Sequence, residues 1–207
     1  MEMKYFSERF ARIVSILFHP LLMPSWVWML YFSPGSVFAM EISIAARMSS
    51  FILVFIMTFL APVILILLLI KLKWVDDVYI QNHRQRVLPL FISALLYGLC
   101  HRMFSESQMP LILVKILQAS VVTIVFAGGV SVFWKISLHA IAAGALTAAM
   151  FFWPGDLSHK GILLLIVFVI GMLVCWARLK TKAHHVFQVL AGYMAGMLIV
   201  FCMLWFS

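Results

Sequence analysis

Residues 48–70 read MSSFILVFIMTFLAPVILILLLI, a run of 23 residues without a charged side chain. An α-helix rises about 1.5 Å per residue, so a run of this length can cross the roughly 30 Å hydrocarbon core of a bilayer. The stretch therefore predicts a membrane-spanning helix, and with it an integral membrane protein.

The rest of the chain has the same character. It contains 207 residues, of which 65% are hydrophobic and 11% are charged, and its mean hydropathy is +1.11. Soluble domains carry about a quarter charged residues. The net charge of +8 comes from cations that punctuate apolar runs, which favours topology signals, lipid headgroups or an anionic substrate over nucleic acid as their partner.

Seven apolar segments, each about one membrane crossing long, can be drawn along the chain. The third is short and the fifth begins with polar residues, so either could be tilted or partly re-entrant. Short connections predict an all-α transmembrane bundle of about six to seven helices, forming a single domain over residues 1–207. The segments are 12–33, 48–70, 88–103, 109–130, 136–153, 161–177 and 185–206.

Prolines and glycines mark special positions in these helices. Pro20, Pro24 and Pro62 lie inside helical runs, where neighbouring helices can satisfy the backbone carbonyl groups that a proline leaves free. Gly192 and Gly196 have the spacing of close helix–helix contacts in membrane proteins, which predicts tight packing of the last helix.

The polar residues are concentrated at one end of the predicted bundle. If the crossings alternate in direction, the N-terminus and the connections near 71–87, 131–139 and 178–184 lie on the same side of the membrane, together with most of the Lys and Arg residues. Ionisable groups within the membrane cost a few kcal/mol each, so they are usually paired or functional. Arginines and histidines with few carboxylates indicate a site for a phosphate or diphosphate.

Such residues can catalyse phosphoryl transfer without a cofactor. A neutral histidine can attack phosphorus and form a phosphohistidine, while a second histidine protonates the leaving oxygen. Arginines can hold the equatorial oxygens as charge builds up, so we expect no metal ion. The candidate residues are Arg84, Arg86, Lys135, Ser137, His139, Arg178, Lys182, His184 and His185.

The stretch RLKTKAHHVFQVLAG, residues 178–192, resembles the third signature of the type 2 phosphatidic acid phosphatase superfamily. That signature is Ser-Arg, five residues, His, three residues, Asp, and a glycine four residues later. Arg178, His184 and Gly192 have this spacing, while Gln188 occupies the place of the Asp. The resemblance implies that His184 is the nucleophile, that Arg178 binds phosphate and that Gln188 orients the histidine.

Two weaker matches extend the resemblance. Ile136-Ser137-Leu138-His139 is similar to the family's Pro-Ser-Gly-His, which makes Ser137 a phosphate ligand and His139 the general acid. Arg86 matches the arginine of the first signature, although Tyr79 stands in place of its lysine, and Arg84 is an equal candidate.

Together these matches imply a phosphatase-like core over about 76–207. The expected activity is metal-independent hydrolysis of a polyprenyl diphosphate or phosphatidyl-type lipid in a bacterial inner membrane. We expect Lys135 and Lys182 to add further cationic groups for the substrate.

Other interpretations stay open at this stage. A relative that lacks the carboxylate could bind or translocate anionic lipids without hydrolysing them. Asp76 and Asp77 faintly resemble the Asp-rich motif of intramembrane prenyltransferases, but a chain with only seven acidic residues argues against that class. The cation count favours a cytoplasmic site, whereas the family resemblance favours the outer side of the membrane.

Overall fold

The computed structural model describes residues 2–76, 80 and 82–206, so Asp77 and Tyr79 lie outside the described residues. Within this part of the chain the regular structure is helical, which confirms the predicted all-α bundle. The α-helices are α1 Glu2–Leu17, α2 Met23–Tyr31, α3 Val37–Glu41, α4 Ile44–Phe55, α5 Ala61–Lys71, α6 Val87–Ser105, α7 Leu111–Phe133, α8 Leu138–Met150, α9 Leu157–Lys180 and α10 Val186–Trp205.

Five helical stretches in the described residues are long and apolar enough to cross a membrane. They are Ile44–Lys71, Arg84–Ser105, Leu111–Phe133, Leu157–Lys180 and Val186–Trp205, and a bent pair formed by Tyr5–Leu17 and Pro20–Tyr31 can supply a sixth. The predicted segment 136–153 contains α8, which has 13 residues. At 1.5 Å per residue α8 is about 20 Å long and too short to span the bilayer.

The predicted helix over 12–33 is interrupted. The chain leaves α1 at Leu17, forms a 3₁₀ turn over Pro20–Leu22 and continues as α2 in a direction that differs by 41°. Proline lacks the backbone N–H that would continue the helix, so the break at Pro20 has a direct chemical cause. The indole N–H of Trp26 donates to the carbonyl oxygen of Leu17 at 3.0 Å, which satisfies one of the groups exposed by the break.

Pro62 has a different effect. It lies within one continuous span, in which a π-helical turn over Ile56–Leu60 joins α4 to α5. In a regular helix the N–H of residue 62 would bond to the carbonyl of Thr58, but proline has none. The hydroxyl of Tyr97 on α6 donates to that carbonyl at 3.2 Å, which confirms that a neighbouring helix satisfies it.

Helices α8 and α10 pack closely because glycines on each helix face the backbone of the other. A Cβ atom on Gly196 would overlap the carbonyl group of Ile141, and one on Gly144 would overlap that of Tyr193. A Cβ on Gly192 would lie 2.8 Å from the carbonyl oxygen of Ser137. The predicted packing role of Gly192 and Gly196 is confirmed, and the contact fixes the start of α8 against the start of α10.

Candidate functional site

A cavity of about 1260 Å³ opens among these helices. At one end it is lined by cations and histidines from α1, the start of α6 and the connections that precede α8 and α10. Its remaining length follows the inner faces of α2, α6, α7 and α8, where Pro89, Leu90, Ile116, Ile124 and Ala145 line it. The cavity therefore has a cationic head and an apolar body.

The body of the cavity is less polar than its composition indicates. Four hydroxyl-bearing residues line it. The hydroxyl of Tyr97 donates to the carbonyl oxygen of Thr58, and the other three hydroxyls each donate to a carbonyl oxygen four residues earlier on their own helix. The O···O distances are 2.8 Å for Ser93, 2.8 Å for Ser120 and 2.7 Å for Thr123. Because their donors are used within the helices, these side chains offer a ligand mainly apolar surface.

Two cations of the head come from the ends of α6 and α7. Arg86 precedes α6 by one residue, is buried, and donates from Nε to the carbonyl oxygen of Ile80 at 2.7 Å, which leaves the rest of its guanidinium for the cavity. Lys135 lies in the connection between α7 and α8. Burial, followed by the guanidinium groups of Arg86 and Arg178, lowers the pKa of Lys135. Three cations thus act on one another at the cavity head.

Arg178 lies in the last turn of α9 and reaches across to α1. Its Nη1 is 3.4 Å from the hydroxyl oxygen of Ser15, a weak contact. Its Nε is buried and has no hydrogen-bond partner among the described residues. A buried guanidinium N–H without an acceptor is costly, so this residue is suited to receive an anionic oxygen.

His184 lies between α9 and α10 and is 7% exposed, with its ring against the cavity head. Its Nδ1 is 3.1 Å from Oε1 of Gln188. The same Oε1 accepts the backbone N–H of His185 at 3.1 Å, which identifies it as the oxygen of the amide. Nδ1 of His184 is therefore the donor, and Nε2 carries the lone pair.

Burial lowers the pKa of His184 to about 4, against a partial opposing effect of the Gln188 hydrogen bond, and Arg178, Arg86 and Lys135 lower it further. The imidazole is consequently neutral at pH 7, which is the form that can act as a nucleophile or base. His185, the neighbouring residue, is exposed and is not among the residues that line the cavity.

A pair of histidines, His139 and His19, lies on the side of the cavity head that α1 forms. Nε2 of His139 is 3.1 Å from the backbone carbonyl oxygen of Ser15, so Nε2 donates and Nδ1 carries the lone pair. The ring of His139 meets the ring of His19 edge to face, with centroids 5.3 Å apart. Ser15 thus connects Arg178 to His139, and His139 contacts His19.

Of the residues chosen from the sequence, Arg84, Ser137 and Gln188 do not line the cavity. Arg84 is exposed, whereas Arg86 lines the head, so the structure separates two residues that the sequence left equal. Ser137 is fully buried, and its hydroxyl caps α8 by accepting the N–H of Ala140 at 3.4 Å. Gln188 contacts the site through the hydrogen bond that its Oε1 accepts from Nδ1 of His184. Lys182 lines the rim as an exposed residue.

The sequence interpretation missed Ser15 and His19, both on the α1 side of the head. Arg12 and Glu8 line the same side. A signal was present in the sequence, because His19 directly precedes Pro20 within an apolar run. A polar residue beside a helix-breaking proline is where a membrane helix exposes unpaired backbone groups to a cavity.

The head of the cavity has few anionic neighbours. The ion pairs within the described residues are Arg102–Glu106 and Asp156–His159, and none of these residues lines the cavity. No group of three or more metal-ligating side chains occurs in the same part of the chain. Cations with unused donors can bind an anion, and a neutral imidazole beside them can attack it.

Comparison of the chain with protein-family models, with curated proteins and with solved structures gives no match in any of the three.

Proposed function

We propose that the protein is a membrane-embedded lipid phosphatase that acts through a phosphohistidine on His184. The observation that carries this proposal is the position of a neutral, buried imidazole among Arg86, Arg178 and Lys135, with its lone pair on Nε2. The match of Arg178 and His184 to the phosphatase signature supports the same reaction. That resemblance also favours a bacterial inner membrane as the location.

The shape of the cavity supports a lipid substrate. A phosphate or diphosphate headgroup would occupy the cationic head, where Nε of Arg178 lacks an acceptor among the described residues. The hydrocarbon tail would extend along the apolar body between α6, α7 and α8. Burial of a methylene group contributes about 0.8 kcal/mol, so the tail would supply much of the affinity.

The reaction would proceed in two balanced steps. Nε2 of His184 attacks phosphorus, a bond forms between nitrogen and phosphorus, and the bond between phosphorus and the lipid oxygen breaks. That oxygen takes the bonding electron pair and a proton from Nδ1 of His139. Because Nδ1 carries the lone pair in the neutral ring, His139 first takes up this proton from solvent, while its Nε2–H stays on the carbonyl of Ser15. In the second step Nδ1 takes a proton from water, which attacks the phosphohistidine and releases phosphate and neutral His184.

Gln188 favours a second candidate function, which is binding or translocation of an anionic lipid without hydrolysis. A carboxylate at this position would stabilise the cationic imidazole that forms during attack, and the glutamine amide does so less well. The amide oxygen already accepts two N–H groups, at 3.1 Å each. It can fix the tautomer of His184 but offers no negative charge.

Phosphate release distinguishes the two functions. The full chain in detergent micelles is incubated with phosphatidic acid or a polyprenyl diphosphate in the presence of EDTA, alongside His184→Ala and His185→Ala. Release that is lost in His184→Ala and retained in His185→Ala supports the phosphatase. If the native chain binds these lipids but releases no phosphate, the second function replaces the first.

A further inference from the structure

His19 occupies the break between α1 and α2, where its side chain is held in one tautomer. The backbone N–H of Leu21 donates to Nδ1 of His19 at 3.3 Å, and this bond caps the 3₁₀ turn. An atom that accepts a hydrogen bond keeps its lone pair, so the neutral ring carries its hydrogen on Nε2. The position of this N–H is thus set by the backbone of the break.

The ring of His19 belongs to the head of the cavity. It lines the cavity together with His139 and Arg178, both of which contact Ser15. The ring of His19 meets the ring of His139 edge to face. Nε2 of His19 has no hydrogen-bond partner among the described residues, and the side chain is half-buried. A donor at such a site gains from an anionic acceptor.

The three histidines of the head differ in how their N–H groups are used. His184 donates to Gln188, and His139 donates to the carbonyl of Ser15. His19 alone among these three retains an N–H that the described residues leave unused. We propose that His19 is a further anion-binding residue, whose Nε2–H donates to a phosphoryl oxygen of the lipid bound at the proposed phosphatase site. This inference rests on the proposed function.

This role differs from that of a general acid. Protonation of His19 at Nδ1 would break the bond from Leu21 N–H, which favours the neutral ring and suits His19 to donating a hydrogen bond. His139 has the opposite arrangement, because its Nδ1 can gain and lose a proton while Nε2 remains bonded to Ser15. The two residues therefore divide binding and proton transfer between them.

The experiment separates the cap from the donor with three substitutions in the full chain. His19→Ala removes both functions. His19→Ser retains an N-cap oxygen for Leu21 N–H but is too short to reach the ligand. His19→Asn retains a cap oxygen and an amide donor. Binding of dodecylphosphonate, whose carbon–phosphorus bond resists hydrolysis, is measured by calorimetry in detergent micelles, and thermal unfolding is followed in parallel.

We expect His19→Ala and His19→Ser to raise the Kd by about 10- to 100-fold, the worth of one hydrogen bond to a charged group. His19→Asn should recover part of this loss, and only His19→Ala should lower the Tm. Wild-type affinity in His19→Ser would overturn the inference and leave the phosphatase proposal standing. Failure of the native chain both to bind the phosphonate and to release phosphate would overturn the proposed function itself.

Discussion

Replacing Gln188 with glutamate tests the orientation of the proposed nucleophile. Glutamate has the same length as glutamine, so one carboxylate oxygen can accept both N–H groups that Oε1 now accepts at 3.1 Å. Aspartate is one methylene shorter and cannot reach both donors in the same way. The negative charge would also lie in the first turn of α10, where it favours the helix by about 0.3–1 kcal/mol.

The expected gain follows from the change in one hydrogen bond. A bond between neutral groups contributes about 0.5–1.5 kcal/mol and a bond to a charged group about 1.5–3 kcal/mol. The difference, about 1.5 kcal/mol, applies mainly when His184 becomes cationic during attack on phosphorus. It corresponds to roughly a tenfold higher rate of phosphorylation.

The rate is measured as the burst of leaving-group release, which accompanies formation of the phosphohistidine, at pH 8, where His184 stays neutral even after the carboxylate raises its pKa from about 4. Gln188→Glu combined with His184→Ala is the control and should be inactive. An unchanged or lower rate in a folded Gln188→Glu protein would refute Nε2 of His184 as the attacking atom. Gln188→Asp should gain less than Gln188→Glu.

Three further predictions concern pH, packing and chain length. Because the active form of His184 is neutral and its pKa lies at about 4, protonation of His184 should lower kcat/KM tenfold per pH unit only below about pH 4; a limb near 6.5 that follows the protonation of His184 would contradict this. Gly196→Ala should lower stability by about 1–3 kcal/mol through overlap with Ile141, whereas Gly129→Ala, with nothing within 4 Å, should not destabilise; thermal unfolding of both checks this. Ala145→Phe should raise KM about tenfold or more for a long-chain substrate and leave a butyl phosphate unaffected, as steady-state kinetics will show.

The helices could be predicted from the sequence because uninterrupted apolar runs leave few alternatives in a bilayer. Residues 48–70 fall within the span Ile44–Lys71, and residues 109–130 closely match α7. The interruption at Pro20 could not be derived from hydropathy alone, since Pro62 lies within a span that continues. Tertiary packing decides between the two outcomes, because the Tyr97 hydroxyl that satisfies the carbonyl of Thr58 comes from a residue 39 positions away in sequence.

The site was predictable where a residue's position follows from a helix end, and less so where it depends on a turn. Arg178 and His184 flank the end of α9, so both reach the same cavity. Arg84 and Arg86 belong to a 3₁₀ turn with three residues per turn, which separates their directions by about 240°. Residue type cannot tell which of two such arginines faces inward, and His19 was missed because its apolar surroundings are typical of a membrane helix.

Because of the π-helical turn at Ile56–Leu60, the two halves of one span, α4 and α5, direct their side chains differently around the helix axis. A π turn holds one residue more than an α turn, and each residue in a helix rotates the chain by about 100°. With the extra residue, Ser50 on α4 accepts the indole N–H of Trp28 at 3.1 Å while Ile66 on α5 faces the cavity. Loss of a single residue from this turn would rotate one half of the span against the other, so that the contact with Trp28 and the cavity wall could no longer be formed by the same span.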